Sequence, residues 1–319
     1  MSVTATLRTF TCATLVLAAA AAPALGQTKI KAGVAAFSEA LAPVYAADKK
    51  GYFADAGIEV EMLNFKGGGA TVQALVGGSI EACLCAADHV LRLSARGMPA
   101  QILAGFDEHH SYALLADGDA PYESLEDLKG KRIAITSPGS LTDNTLRYMI
   151  GQAGLDPDMD FTIIAGGNSQ SRRAAMQTDQ VDAAMFINND VVDLMQTPGA
   201  YKIVEDFREM SYPAFTWIVL KSWIEENPDT AKALAGALGK AIADLKADPE
   251  FAKEIIAEMY PNFSPELVAA IAESMTTRMP EGGIVSQASF DTINDLLPTM
   301  DTSLSPVPLD EAFDPSLLQ

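Results

Sequence analysis

The turn Ser137-Pro138-Gly139-Ser140 has the composition of an anion cradle. It follows a β-type run and opens a helix whose apolar stripe is Leu146, Met149, Ile150 and Ala153. Ser140, with Asp143 three residues on, forms a capping pair. The first N–H groups of a helix lack intrahelical partners and carry about half a positive charge, enough to hold a carboxylate or a sulfonate. Plain capping is the competing reading, since every helix start needs it. Gly67-Gly68-Gly69 offers a second helix start of the same kind. It lacks the Gly-Lys-Ser/Thr of a P-loop and the spacing of a dinucleotide fingerprint.

Other residues are suited to contact a ligand without reacting with it. Asp88-His89 opens a helix, with Asp88 either a cap or a ligand contact. His109-His110 is an adjacent pair whose side chains diverge in an extended segment, so joint metal chelation is not expected; one could face a cleft and the other solvent. Arg172-Arg173 is either a solvated pair or the source of an arginine reaching an anionic ligand. Cys83 and Cys85 stand two apart on one strand face, a spacing wide for an unstrained bridge, and are read as buried free thiols packed as small apolar residues. Phe215 and Trp217 are either core residues or an aromatic cleft wall. There is no Gly-x-Ser-x-Gly and no His-Glu-x-x-His, and three histidines make a metal site hard to assemble. No carboxylate pair stands out as acid and base. The chain reads as a binder and not an enzyme, with no cofactor and no metal.

The elements that must position these residues alternate. Strands are expected at Lys29–Phe37, Ile58–Phe65, Ile80–Cys85, Ala100–Phe106 and Tyr112–Ala116, with helices at Leu41–Ala54, from the glycines to Val76, and at Asp88–Arg96. The plan restarts after Ser124, with strands at Lys131–Thr136, Phe161–Ala165 and Val181–Phe186 and helices at Leu141–Gln152 and Ser169–Gln177. A faint repeat joins the halves: Ala74-Leu75 before Ile80-Glu81-Ala82 matches Ala175-Met176 before Val181-Asp182-Ala183 in spacing. Two similar α/β lobes follow, each a doubly wound sheet that binds ligands beyond its strands' carboxyl ends. From Ser222 the pattern is helical, with Asn227-Pro228-Asp229 and Ser264-Pro265-Glu266 as capped starts. The tail after Pro298 is expected to wrap the surface. Thr216–Leu220 leads back into helices, so the chain is expected to cross between lobes twice, near Phe106–Tyr112 and near Tyr212–Leu220. Lobe one is then 28–108 plus 217–319, and lobe two 109–216.

Composition limits the partners. Lys and Arg number 22 against 42 Asp and Glu, so a nucleic-acid phosphate backbone would be repelled over most of the surface. Arg8, an apolar run from Ala13 to Ala22, and the small-x-small pair Ala24 and Gly26 make residues 1–26 a secretory signal cleaved before Gln27. Its loss with Arg8 takes the formal charge from −20 to −21. Cys12 precedes the apolar run, where a lipoprotein cysteine would follow it. The expected product is an exported, periplasmic monomer.

Ala42-Pro43-Val44-Tyr45-Ala46-Ala47-Asp48-Lys49-Lys50-Gly51-Tyr52-Phe53, then Gly57-Ile58-Glu59-Val60, resembles the first helix of the solute-binding proteins of ABC importers, in the branch for nitrate, sulfonate, taurine and related ligands. Gly67-Gly68-Gly69 with Ala74-Leu75 and Ile80-Glu81-Ala82, Leu125–Ile133, Gly139-Ser140 and Asp182-Ala183-Ala184 extend the match. The resemblance implies a type II periplasmic binding protein fold that closes on a small organic anion and docks on an ABC permease with a cytoplasmic ATPase. By position it implies ligand-facing roles for Ser38, Glu39, Gly68, Gly69, Asp88, His109, Ser137, Gly139, Ser140, Asn188 and Asn189. Phe37-Ser38-Glu39 lacks the tryptophan that the pyrimidine-binding branch carries in this loop. Cys83-Leu84-Cys85 is at most a fragment of the cysteine cluster of the fungal pyrimidine-forming enzymes, the alternative function on the same fold.

Overall fold

The computed structural model describes Met1, residues 27–65 and residues 67–318; the expected signal segment with its cleavage site, and Cys12, fall outside the described residues apart from Met1 and Gln27. Among the described residues, ten strands form two five-stranded sheets. The first comprises β1 (Thr28–Val34), β2 (Ile58–Asn64), β3 (Ala82–Cys85), β4 (Ala100–His109) and, from late in the chain, Ser211–Leu220. The second comprises β5 (Tyr112–Asp117), β6 (Arg132–Ile135), β7 (Thr162–Ala165), β8 (Ala183–Ile187) and β9 (Tyr201–Asp206), which leaves Ser211–Leu220 as β10. Their orders, β2-β1-β3-β10-β4 and β7-β6-β8-β5-β9, are the same plan used twice. Each has three parallel strands followed by one antiparallel strand, β10 or β5, that arrives from the other sheet. Burial matches sequence: β3 and β8, covered on both faces, are continuous apolar runs, whereas edge strand β2 alternates.

Helices cover both sheets. They are α1 (Ala42–Lys49), α2 (Tyr52–Asp55), α3 (Gly68–Val76), α4 (His89–Ala95), α5 (Leu141–Gln152), α6 (Ser169–Gln177) and α7 (Asn188–Leu194). The single helix expected over Leu41–Ala54 is two, because Gly51 at φ +75° ends the first in a left-handed turn. After β10 come α8 (Lys221–Glu226), α9 (Pro228–Ala247), α10 (Pro249–Met259), α11 (Pro265–Arg278), α12 (Gln287–Met300) and α13 (Leu309–Ala312). Ser264 caps α11 by accepting from Leu267 N–H at 3.2 Å, but Asn227 does not cap α9; its amide donates to the Trp223 carbonyl at 3.0 Å. The tail does more than wrap the surface: Phe313 bridges to Ile102 and so covers the exposed edge of β4. No helix among the described residues is long and apolar enough to cross a membrane.

Two expectations are corrected here. The outward crossing, the pair His110-Ser111, falls within the expected Phe106–Tyr112, but the return runs through Phe207–Met210, earlier than Tyr212–Leu220, which lies wholly within β10 of the first sheet. The reason is that β10 starts pairing at once, Ser211 against His109. Cys83 and Cys85 are not free thiols but a disulfide within β3. Their Cα atoms stand 5.6 Å apart, inside the range a disulfide spans, so a short strand brings alternate residues close enough. Trp217 is wholly buried core of the first lobe and forms no cleft wall.

Candidate functional site

A cavity of about 530 Å³ lies between the two sheets, beyond the carboxyl ends of β1, β2, β6, β7 and β8. This is where open α/β sheets place ligands, because loops and helix starts converge there. The first lobe contributes Ala35, Ala36 and Phe37 after β1, Asn64 and Phe65 at the end of β2, and Tyr260 and Phe263 after α10. The second contributes Thr136, Gly167 to Gln170, Arg172, Asn189 and Asp190. A small hollow of about 30 Å³, room for one water, adjoins it and shares Ala35, Ala36, Gly67 and Thr136. His89, Gly68, Tyr112, Ser140 and Thr142 line this inner hollow.

Around the cavity the lobes are held together by polar bonds. Glu39, buried in the turn after β1, accepts from the Asn188 amide at 2.7 Å and, with the Asn189 amide turned nitrogen-first, from Asn189 at 2.9 Å. Burial pushes the Glu39 carboxyl up, and the Asn188 hydrogen bond pulls it back. Asp88, 0% exposed, accepts from Asn144 of α5 at 2.7 Å, and Arg92 donates to the same amide at 2.8 Å. At the hinge, the His110 ring accepts the Tyr112 N–H on Nδ1 at 3.2 Å. Nε2 therefore carries the proton and donates to Thr145 at 2.8 Å. Burial lowers the His110 pKa to about 3, so the ring is neutral. The glycine loop and the Ser137 turn abut: a Cβ on Gly69 would lie 2.7 Å from the Pro138 carbonyl oxygen. Only glycine lets the lobes close to this distance.

Within the cavity and hollow, polar groups lack partners. Both His89 ring nitrogens are buried and unbonded, and burial holds the ring below the usual histidine range. The Tyr260 hydroxyl is also unbonded, as is Ser137 Oγ beside the glycine loop. Ser140 does not cap α5: its hydroxyl joins Thr136 at 2.7 Å and Thr142 at 2.9 Å, while Asp143 turns back to the Gly139 N–H at 2.7 Å.

The sequence-predicted residues divide accordingly. Asn189 lines the cavity, and Gly68 and Ser140 the hollow. Ser38, Glu39, Asp88 and Asn188 belong to the seam between lobes: Ser38 caps the turn at Glu39, and Asp88 caps no helix. Gly69 and Ser137 form the loop contact, and Gly139 makes the turn beside it with its N–H on Asp143. His109 lines a different hollow, with Asn188, Arg208, Glu209, Ser274, Thr277 and Arg278, because β4 extends through it; it does not line the large cavity. Arg172 is neither solvated nor paired with Arg173: it is 1% exposed and lines the cavity, while Arg173 pairs with Asp193 at 3.5 Å. Tyr260 and Phe263 escaped the sequence reading altogether, since nothing local in a helical segment marks a cleft wall. No group of three His, Cys, Asp or Glu side chains among the described residues is arranged to hold a metal.

The family model described as NMT1/THI5 like matches residues 38–252, well over half of the chain. The chain belongs to the NMT1/THI5-like family. Its relatives include the nitrate/nitrite binding protein NrtA of Nostoc, 26% identical over 70% of this chain and 56% of that one. Another is the 4-amino-5-hydroxymethyl-2-methylpyrimidine phosphate synthase THI11 of Saccharomyces cerevisiae, 24% identical over 70% of this chain and 68% of that one. The chain spans 65%, 38% and 56% of the length of three curated relatives, the last of them NrtA. Among solved structures, a Bordetella bronchiseptica protein superposes with TM-score 0.78 at 24% identity, covering 92% of this chain and 96% of that one. The alkanesulfonate-binding protein SsuA of Xanthomonas axonopodis superposes with TM-score 0.72 at 18% identity, covering 91% and 99%. These likenesses establish the periplasmic binding protein fold with its helical C-terminal region.

Proposed function

We propose that this member of the NMT1/THI5-like family is the extracytoplasmic substrate-binding component of an ABC importer, taking a small organic anion into the cavity between its lobes. The observation that carries the reading is Arg172: a buried guanidinium, with no carboxylate ion-paired to it among the described residues, on the wall of a cavity that two lobes close over. In a chain of net negative charge, an anion needs such a local source of positive potential. The relatives' names, a nitrate-binding and an alkanesulfonate-binding protein, agree with an anion. The Cys83–Cys85 disulfide agrees with an oxidising, exported location. The reading includes a signal cleaved before Gln27 and a permease as partner. The alternative, an enzyme of pyrimidine or thiamine-precursor synthesis, is disfavoured because the only described cysteines near the site are tied to each other.

Purified protein lacking residues 1–26 is expected to gain thermal stability with its ligand, by about 2.7 kcal/mol at a hundredfold excess over Kd. The measurement is a melting screen over carboxylates, sulfonates and heterocycles, with substrate recovery by chromatography. Turnover of a compound by a small molar fraction of protein would sink the binding reading in favour of an enzyme.

A further inference from the structure

The two walls of the large cavity are chemically unlike. The first lobe's wall is aromatic: Tyr260 stacks on Phe263 at 4.8 Å with planes 6° apart, and Phe37 meets Tyr260 edge-on at 5.4 Å. Phe37, which lines the cavity, remains 41% exposed. The second lobe's wall is polar, with Arg172 at its centre. Its Nε donates to the Met185 carbonyl at 2.7 Å, Nη1 to the Gly167 carbonyl and Nη2 to Ser169 Oγ at 3.1 Å. A guanidinium has five N–H groups, so two remain for a guest. Asp190 lines the same cavity; burial pushes its carboxyl up, while the Ser169 hydrogen bond and the charge of Arg172 pull it back, and it stands outside ion-pair distance of Arg172. A buried guanidinium is costly unless an anion meets it, and its planar fork suits a carboxylate or sulfonate.

Size and closure narrow the guest further. About 530 Å³ falls within the ~300–1,000 Å³ of sites for drug-sized molecules, and an inorganic oxyanion would leave most of it to water. A ligand shifts a conformational equilibrium only through contacts that differ between the states. A guest long enough to meet both walls makes such contacts.

We infer that the ligand is a planar aromatic oxyacid, its carboxylate or sulfonate on Arg172 and its ring against Phe37, Tyr260 and Phe263. The inference rests on the anion-binding reading above and adds the class. The test is calorimetry of the purified protein with benzoate, 2-naphthoate, 2-naphthalenesulfonate, nitrate, butanesulfonate and neutral 2-naphthalenemethanol. At least one aromatic acid is expected to bind tenfold or more tighter than nitrate, butanesulfonate and the alcohol. Arg172→Gln is expected to erase the preference for 2-naphthoate over the alcohol. Phe263→Ala, which leaves Arg172 untouched, is expected to weaken aromatic acids tenfold without altering nitrate, and decides the matter should the arginine variant not fold. Tighter binding of nitrate or butanesulfonate would overturn the aromatic class and leave the anion reading standing. Equal binding of 2-naphthoate and the alcohol would overturn both, and binding of no aromatic acid would overturn the inference.

Discussion

The seam between the lobes and the cavity it surrounds are built from the same loops, yet their polar groups behave oppositely. At the seam every acid has a donor from the other lobe: Glu39 has Asn188, and Asp88 has Asn144. In the cavity and its inner hollow, Arg172 has spare N–H groups while His89 and the Tyr260 hydroxyl stand unbonded. Unmade bonds of buried polar groups cost about 1–3 kcal/mol each, so a protein keeps them where something else will make them. Loop position alone does not separate the two classes. Partnership does.

The hinge end of the seam carries the largest expected effect. Below pH 6.5 the unfolded chain takes up a proton at His110 that the folded chain refuses until the pH is about 3. The unfolded state therefore binds more protons in that window, and stability falls as pH falls through it; above pH 6.5 both states are neutral and the effect is absent. The full difference is on the order of 4–5 kcal/mol. His110→Gln should flatten this part of the stability–pH curve relative to wild type, measured by urea unfolding from pH 7 to pH 4. Parallel curves would mean that the hinge ring is not held neutral.

A smaller effect is expected at Asp88. Asn144→Ala removes the donor to a carboxylate that is 0% exposed and whose other oxygen already lacks a partner. Hydrogen bonds to charged groups contribute about 1.5–3 kcal/mol, and the loss should appear in unfolding and as a more open solution shape by X-ray scattering. Adding Asp88→Asn should recover part of it, since the two residues act as one unit. A loss under about 0.5 kcal/mol, the range of ordinary surface changes, would remove Asp88 from the seam.

How far the sequence revealed this arrangement depends on how local each signal is. The bounds expected for Leu141–Gln152 and Ser169–Gln177 are those observed, because the apolar periodicity lies within the segments themselves and Asn168 caps the second. The two α/β lobes were readable for the same reason, from the restart of one strand–helix plan, while the type II binding fold was implied by the family resemblance. Arg172 could not be told from its neighbour Arg173, since only the β8 carbonyl at Met185 and the turn at Gly167 draw it inside. Tyr260 and Phe263 sit far along the chain from the loops they face. The cysteine pair was misread because average strand spacing stood in for the actual 5.6 Å. His109 was misplaced because β4 runs on past Phe106 to pair with Ser211.

The smallest effect on stability, and the sharpest contrast with Asn144, belongs to His89. Its ring is 2% exposed, lines the inner hollow and bonds to nothing, and burial keeps it neutral across the neutral pH range. Leucine has similar bulk and no polar atoms to leave unsatisfied, so His89→Leu removes a penalty and no bond. Stability without ligand should stay within about 0.5 kcal/mol of wild type, or rise. Affinity should fall, because a neutral imidazole offers one donor and one acceptor to a guest or to the single water the hollow can hold. Losing one such bond corresponds to about 0.5–1.5 kcal/mol, or roughly two- to tenfold in Kd, read by calorimetry on the same preparation used for unfolding. The two columns of that experiment separate the regions: a seam residue costs stability, a cavity residue costs affinity. If His89→Leu destabilised the ligand-free protein as much as Asn144→Ala does, the hollow would be part of the scaffold, and the line drawn here between seam and cavity would be wrong.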